Sequence, residues 1–253
     1  MGAAVRDPAA RTNRRGPPRY DEGDVARVEW LRARLREGYR IREAASLLGA
    51  ADGRHARCCA AEQLQAILAT VEDGAHEQVG PLVDQSFAVY GVDATFEEIL
   101  APLLRTVGER RHDRALTVGD EHIVSEAVRS RLGHLLAGGP GGVRGRIVLA
   151  CAPGERHELG LMMVGIRLRR EGWDVRFLGA DTPFEDALAV AARLSARLLG
   201  ISVTTAERAD ALAPPEGSAV PIVVGGQAAT PALAQRLGAS HADAAAALRR
   251  YAA

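Results

Sequence analysis

The sequence predicts a four-helix bundle followed by an α/β domain with a parallel, doubly wound sheet, a Rossmann-like or flavodoxin-like arrangement. Two changes in pattern carry that expectation. From about residue 57 to 137 apolar side chains recur at helical spacing, whereas after the glycine-rich stretch "AGGPGGVRG" they fall into short β-branched runs. The stretch itself reads as a linker between the two parts.

The elements follow in order. Residues 1–22 are rich in Arg, Pro and Gly without either period and read as a mobile arm. Over 23–56, Val25, Val28, Leu31 and Leu35, then Ile41, Ala44, Leu47 and Leu48, mark two amphipathic helices split at Gly38. The bundle, 57–138, has breaks at "EDGAHE", "YGVDAT" and "RALTVGD", hence four helices. Asp93 or Thr95 is placed to cap the third, with Glu97 and Glu98 in its first turn, and Thr117 with Asp120 has the spacing of a capping box for the fourth. In the last part, 143–253, the runs "RIVLACA", "WDVRFLG", "RLLGISV" and "VPIVVGG" alternate with helical stretches at 157–171 and 183–195, as in successive βαβ units. The segment between Val203 and Val220 is short for a full crossover helix.

Charge and composition narrow the function. Basic and acidic residues balance at 32 each, so no global field draws the molecule to nucleic acid or an anionic membrane. Every one of those basic residues is arginine, which removes Schiff-base chemistry on lysine. The start lacks an apolar signal core, and no apolar stretch approaches the roughly 20 residues of a membrane span; a cytoplasmic protein is expected. Cys58, Cys59 and Cys151 have neither a disulfide framework nor zinc-ligand spacing.

Ligands of parallel sheets bind beyond the carboxyl ends of the strands. Three of the four runs end there in suggestive residues: Glu155, His157 and Gly160 in an E-x-H-x-x-G pattern, Ser202 with Thr204, and the pair Gly225 and Gly226. A neutral imidazole is a good ligand for a transition metal, and a carboxylate two residues away can hold its other N–H, as Glu155 would for His157. Gly160 would let the helix start pack closely. Gly225 and Gly226 offer backbone without Cβ, and Ser202 a hydroxyl, where a bulky group passes.

This order of motifs resembles the cobalamin-binding domain, whose usual elements are D-x-H-x-x-G, S-x-L and G-G. The resemblance implies that His157 is the lower axial ligand to cobalt and that the displaced nucleotide tail runs past the serine and the glycines. Over nearly its whole length the chain resembles the MerR-type cobalamin-dependent photoreceptors of the CarH/LitR kind. There the bundle caps the corrin and carries a W-x9-E-H signature, with the Trp on the adenosyl group; light breaks the Co–C bond and the histidine can then coordinate. Here "DEH" supplies Glu121 and His122, a candidate upper ligand, but Arg111 stands at the Trp position, followed by His112.

Residues 23–56 are similar to the latter half of a MerR DNA-binding domain without its helix-turn-helix. That leaves two alternatives: a gene start placed too late, or a sensor that does not read DNA sequence itself. The departures together resemble the photocobilins, which hold a bilin beside cobalamin. Arg105, Arg110, Arg111 and Arg114, around the end of the third helix, would suit the propionates of biliverdin. The expectation is therefore a light sensor, not an enzyme, that binds cobalamin, as adenosylcobalamin or a related form, with or without biliverdin. It would signal as a homo-oligomer or through a partner protein, with no membrane and no sequence-specific DNA contact. The alternatives are a corrinoid carrier for a methyltransferase and a light-responsive DNA-binding regulator.

Overall fold

The structure, a computed structural model, describes residues 60–138, 142–215 and 217–241, together with Val28, Glu29, Arg32 and Leu35, which are helical. The arm over 1–22, most of the hairpin over 23–56, Cys58 and Cys59, the middle of the glycine-rich linker and the chain after 241 lie outside the described residues. Residues 62–253 form one compact unit that holds bundle and sheet.

The helical part starts with α1, helical over 60–72, where Ile67, Leu68 and Val71 share one buried face. A 3-10 turn, His76–Gln78, leads into α2, Val79–Ala94, which continues through a π-helical segment, Thr95–Leu100, into α3, Ala101–His112. The break expected in "YGVDAT" is thus a kink rather than a loop. Gly91 sits within α2 at φ 75° and ψ −179°, backbone open to glycine and rarely to other residues.

Because the helix does not restart there, neither expected cap forms. The Thr95 hydroxyl donates to the Ser86 carbonyl at 3.0 Å, and Asp93 instead accepts from Arg167 and Arg170 of the next domain. Helix α4, Val118–Ala137, does open with a capping box. Asp120 N donates to Thr117 Oγ1 at 3.1 Å, and Thr117 N donates to Asp120 Oδ2 at 2.8 Å. Val124, Val128, Leu132 and Leu136, four apart, form its buried row.

Beyond the linker lie β1 (Arg146–Cys151), α5 (Leu159–Arg170), β2 (Asp174–Gly179), α6 (Phe184–Arg193) and β3 (Leu198–Ser202). Then come α7 (Ala206–Ala211), β4 (Ile222–Gly225), α8 (Pro231–Arg236) and β5 (Ser240–His241). The strands form one parallel sheet in the order β2-β1-β3-β4-β5, so the expected four gain a short fifth. The β3–β4 crossover carries only the six-residue α7, in keeping with its length.

Period-2 alternation divides the sheet into two faces. Val148, Ala150, Leu199, Ile201, Ile222 and Val224 pack with α6, α7 and α8 into an apolar core. On the other face, among the described residues, α5 covers β1 and β2 and is itself covered by α4. The closest approach is at Gly165, where a Cβ would lie 3.0 Å from Leu136 of α4 and 3.3 Å from Leu149 of β1. The glycine that admits the helix is therefore Gly165. A Cβ on Gly160 would meet nothing within 4 Å, so the packing role expected of it does not hold.

Candidate functional site

In a sheet of order 2-1-3-4-5 the connections from β1 and β3 leave on opposite faces, opening a crevice between their carboxyl ends. A cavity of about 1040 Å³ lies there, roofed by α3 and α4 of the bundle. That is the upper end of the roughly 300–1,000 Å³ usual for small-molecule sites. Its lining includes His157, Gly160, Ser202, Thr204, Gly225 and Gly226 from the strand ends, and Arg111, Glu121 and His122 from the bundle.

The turn after β1 is built around a buried carboxylate. Glu155 is 1% exposed and accepts four hydrogen bonds. Oε1 takes His157 N at 2.9 Å and His157 Nδ1 at 2.6 Å, and Oε2 takes Thr204 N at 2.8 Å and Thr204 Oγ1 at 2.5 Å. Burial by itself would raise its pKa. The hydrogen bonds from Thr204 and His157 outweigh that and hold it at about 2. An ionised carboxylate cannot donate, so the proton of a neutral His157 sits on Nδ1 and the lone pair on Nε2 is free. The imidazole is 71% exposed, within the cavity lining.

Thr204, read from the sequence only as a companion to Ser202, is thus what fixes the Glu155–His157 pair. Below them Cys151 is buried, and burial, followed by the charges of Glu158 and Glu155, pushes its thiol up to about 12. It stays protonated.

A trough runs from this turn along the sheet. Leu198, Gly200 and Ser202 of β3 and Val223 and Gly225 of β4 face the same side and line the cavity, with Gly200 beside Val223 and Ser202 beside Gly225. Gly200 was missed in the sequence. Its place two residues before Ser202, on the same strand face, was the available signal. A Cβ there would come 2.6 Å from Leu149 Cδ2. Gly226, at φ 108°, closes the far side, and a Cβ on it would lie 2.2 Å from the Val203 carbonyl oxygen. The Ser202 hydroxyl makes no hydrogen bond to another described residue.

On the bundle side, α4 presents Glu121, His122, Ser125, Glu126 and Arg129 to the cavity. Arg111 of α3 forms an ion pair with Glu121 at 2.7 Å, and His122 is exposed with no partner among the described residues. Of the four arginines expected to cluster, Arg105 and Arg111 line the cavity, whereas Arg110 pairs with Glu72 of α1 and Arg114 lies outside the lining. His112 is likewise outside it, since successive helical residues point about 100° apart. No Phe, Tyr or Trp is among the lining side chains.

These residues suit a metal already enclosed by a macrocycle. A bare ion wants three or four protein ligands, and the described residues hold no cluster of three or more His, Cys, Asp or Glu so disposed. A corrin needs only an axial donor, a demand that the lone pair on His157 Nε2 fits, together with an apolar floor and a slot free of Cβ atoms.

Comparison with known proteins agrees. Two families described as "B12 binding domain" match residues 145–252 and 63–136. The HTH-type transcriptional repressor CarH of Myxococcus xanthus is 35% identical over 231 residues, 83% of this chain and 77% of that protein. The repressor CarA of the same organism is 41% identical over 110 residues, 42% of this chain and 36% of its own length. The fold is also that of the monomethylamine corrinoid protein of Methanosarcina barkeri, with a TM-score of 0.55 at 17% identity over 75% of this chain and 96% of that one. The chain binds cobalamin and belongs to the CarH-like family of B12-binding proteins.

Proposed function

We propose that the protein is a cobalamin-based light sensor. The observation that carries the reading is the single cavity in which His157 of the sheet and the Glu121–His122 face of α4 both take part. In this reading His157 holds the lower side of the corrin, oriented by Glu155 and Thr204, while Ser202, Gly200, Gly225 and Gly226 make room for the tail. Bound cobalamin, as adenosylcobalamin or a related form, would supply a light-sensitive cobalt–carbon bond. His122, whose imidazole has no partner among the described residues, would be the donor on the bundle side that responds to its loss, with the Arg111–Glu121 ion pair beside it.

In the same reading a bilin such as biliverdin beside the cobalamin would find Arg105, which lines the cavity, to receive a propionate. The output is a change in assembly, as a homo-oligomer or with a partner protein. No helix of the described residues is long and apolar enough to cross a membrane.

An absorption spectrum of the purified protein, taken before and after illumination, tests this. Light-dependent loss of the cobalamin spectrum, accompanied by a change in elution volume, is expected. A spectrum and elution volume indifferent to light would favour a second reading, a corrinoid carrier, to which the fold shared with the monomethylamine corrinoid protein also lends itself.

A further inference from the structure

We infer that Arg129 is a positioning residue for His157: through Glu158 it ties the histidine's turn to α4, so that one contact sets both the sheet's candidate ligand and the cavity face of the bundle. The inference rests on the reading that cobalamin is held at His157.

His157 stands between two buried carboxylates that reach different ways. Glu155, two residues earlier, is saturated by His157 and Thr204. Glu158, the next residue, is 8% exposed and accepts from Arg129 Nε at 2.6 Å through Oε1. Its Oε2 lies 3.4 Å from where a Cβ on Gly179 would stand, against the end of β2. Its backbone opens α5: Met162 N donates to Glu158 O at 2.9 Å, and Glu158 N donates to Arg156 O at 3.0 Å. Any shift of Glu158 is therefore passed to the first turn of α5 and, one peptide away, to His157.

Arg129 comes from the bundle. It lines the cavity seven residues after His122, about two helical turns along the same face, with Ser125 and Glu126 between them. Without the guanidinium, Glu158 is a largely buried carboxylate short of a hydrogen bond, a state that favours turning toward the water of the cavity. The His157 turn would then keep only its Glu155 side. The bundle would still be docked, because Arg167 and Arg170 of α5 reach Asp93 and Glu97 without touching the turn. Since the contact uses one N–H rather than a bidentate fork, a lysine can replace much of it.

The experiment measures amide hydrogen exchange in the cofactor-free protein for wild type, Arg129→Ala and Arg129→Lys, then titrates each with hydroxocobalamin. In Arg129→Ala the amides of His157 and Met162 should exchange at least tenfold faster while those of Ile147–Ala150 in β1 keep their wild-type rates, and Lys should restore most of the protection. Hydroxocobalamin should bind the Ala variant about tenfold more weakly with the wild-type end spectrum, showing the same ligand reached at a cost. Unchanged exchange and affinity would overturn the inference, and so would faster exchange spread equally over β1. His157→Ala is run beside them. If it binds hydroxocobalamin with a wild-type spectrum, the ligand assignment has failed, whereas the exchange data still judge the Arg129 contact on their own.

Discussion

Thr204 and Glu155, 49 residues apart in sequence, meet through two hydrogen bonds of 2.8 and 2.5 Å that lock the loop after β3 to the turn after β1. The carboxylate is held at about 2 against an ordinary 4.5, with the hydrogen bonds from Thr204 and His157 prevailing over burial. A depressed carboxylate contributes stability that is complete above its unfolded pKa and is lost as pH falls toward the folded one. The turn should therefore keep its full support above pH 4.5 and lose it between there and pH 2. The contribution at neutral pH is on the order of 3 kcal/mol. Glu155→Gln should remove most of this acid dependence, because the amide has no carboxyl to protonate, and it should lower stability at neutral pH by setting a donor against donors. Urea unfolding of both proteins from pH 7 to 3 would show it; parallel stability curves would contradict it.

His157→Ala tests the ligand itself. Glu155 would keep both bonds from Thr204 and the bond from the backbone N–H of residue 157, so the fold should survive with a stability change of about 1 kcal/mol. Cobalamin affinity should fall by roughly 10–100-fold, the usual scale for a disturbed metal ligand shell, with a visible shift of the absorption bands. An unshifted spectrum at full affinity would assign the lower position elsewhere.

The glycines separate packing from room for a ligand. Gly226→Ala forces a side chain onto φ 108° and into the Val203 carbonyl, costing about 1–3 kcal/mol in strain alone. Gly165→Val overpacks the α4–α5 contact at Leu136, for about 1–3 kcal/mol. Gly160→Ala, in the first turn of α5 with open space around it, should leave thermal stability equal or higher, yet weaken cobalamin binding because its Cβ projects into the cavity. Melting temperatures and a cobalamin titration of the three variants would separate these effects. A Gly160→Ala protein that melts well below wild type would show that this position packs after all.

Much of this arrangement was legible because it is local. The strand runs, the Thr117–Asp120 box and the E-x-H spacing are each set by residues within a few positions of one another, and their periods carry them. The kink at Gly91 was not legible as such: a glycine between two helical stretches looks the same whether the chain turns or merely bends. Asp93 resembled a cap for the same reason, until Arg167 and Arg170 arrived from 74 and 77 residues away. The trade between Gly160 and Gly165, and the meeting of Arg129 with Glu158, likewise depend on how α4 lies over α5. That relation is a property of tertiary packing on which no short window of sequence reports.

The last prediction concerns His122, which stands near the start of α4, five residues after the Thr117 cap, beside Glu121 and on the cavity side. Its neighbour is occupied: Glu121 is paired with Arg111 at 2.7 Å, whereas the imidazole of His122 has no partner among the described residues. The contacts that dock the bundle on α5 are mixed. Leu136 of α4 against Gly165 is close, whereas Asp93 of α2 and Glu97 of the π-helical segment, which meet Arg167 and Arg170, are 59% and 67% exposed and their pairs contribute about 0–1 kcal/mol each. A new bond from His122 to an axial position could thus shift the N-terminal end of α4 while the Leu136 end stays packed, a two-state element that light would bias. His122→Ala should bind cobalamin in the dark like wild type, give a different spectrum after illumination, and lose the light-dependent change in elution volume. Visible spectroscopy and size-exclusion chromatography of both proteins, dark and illuminated, decide the matter. Identical photoproduct spectra with identical elution shifts would make His122 a bystander at the mouth of the cavity.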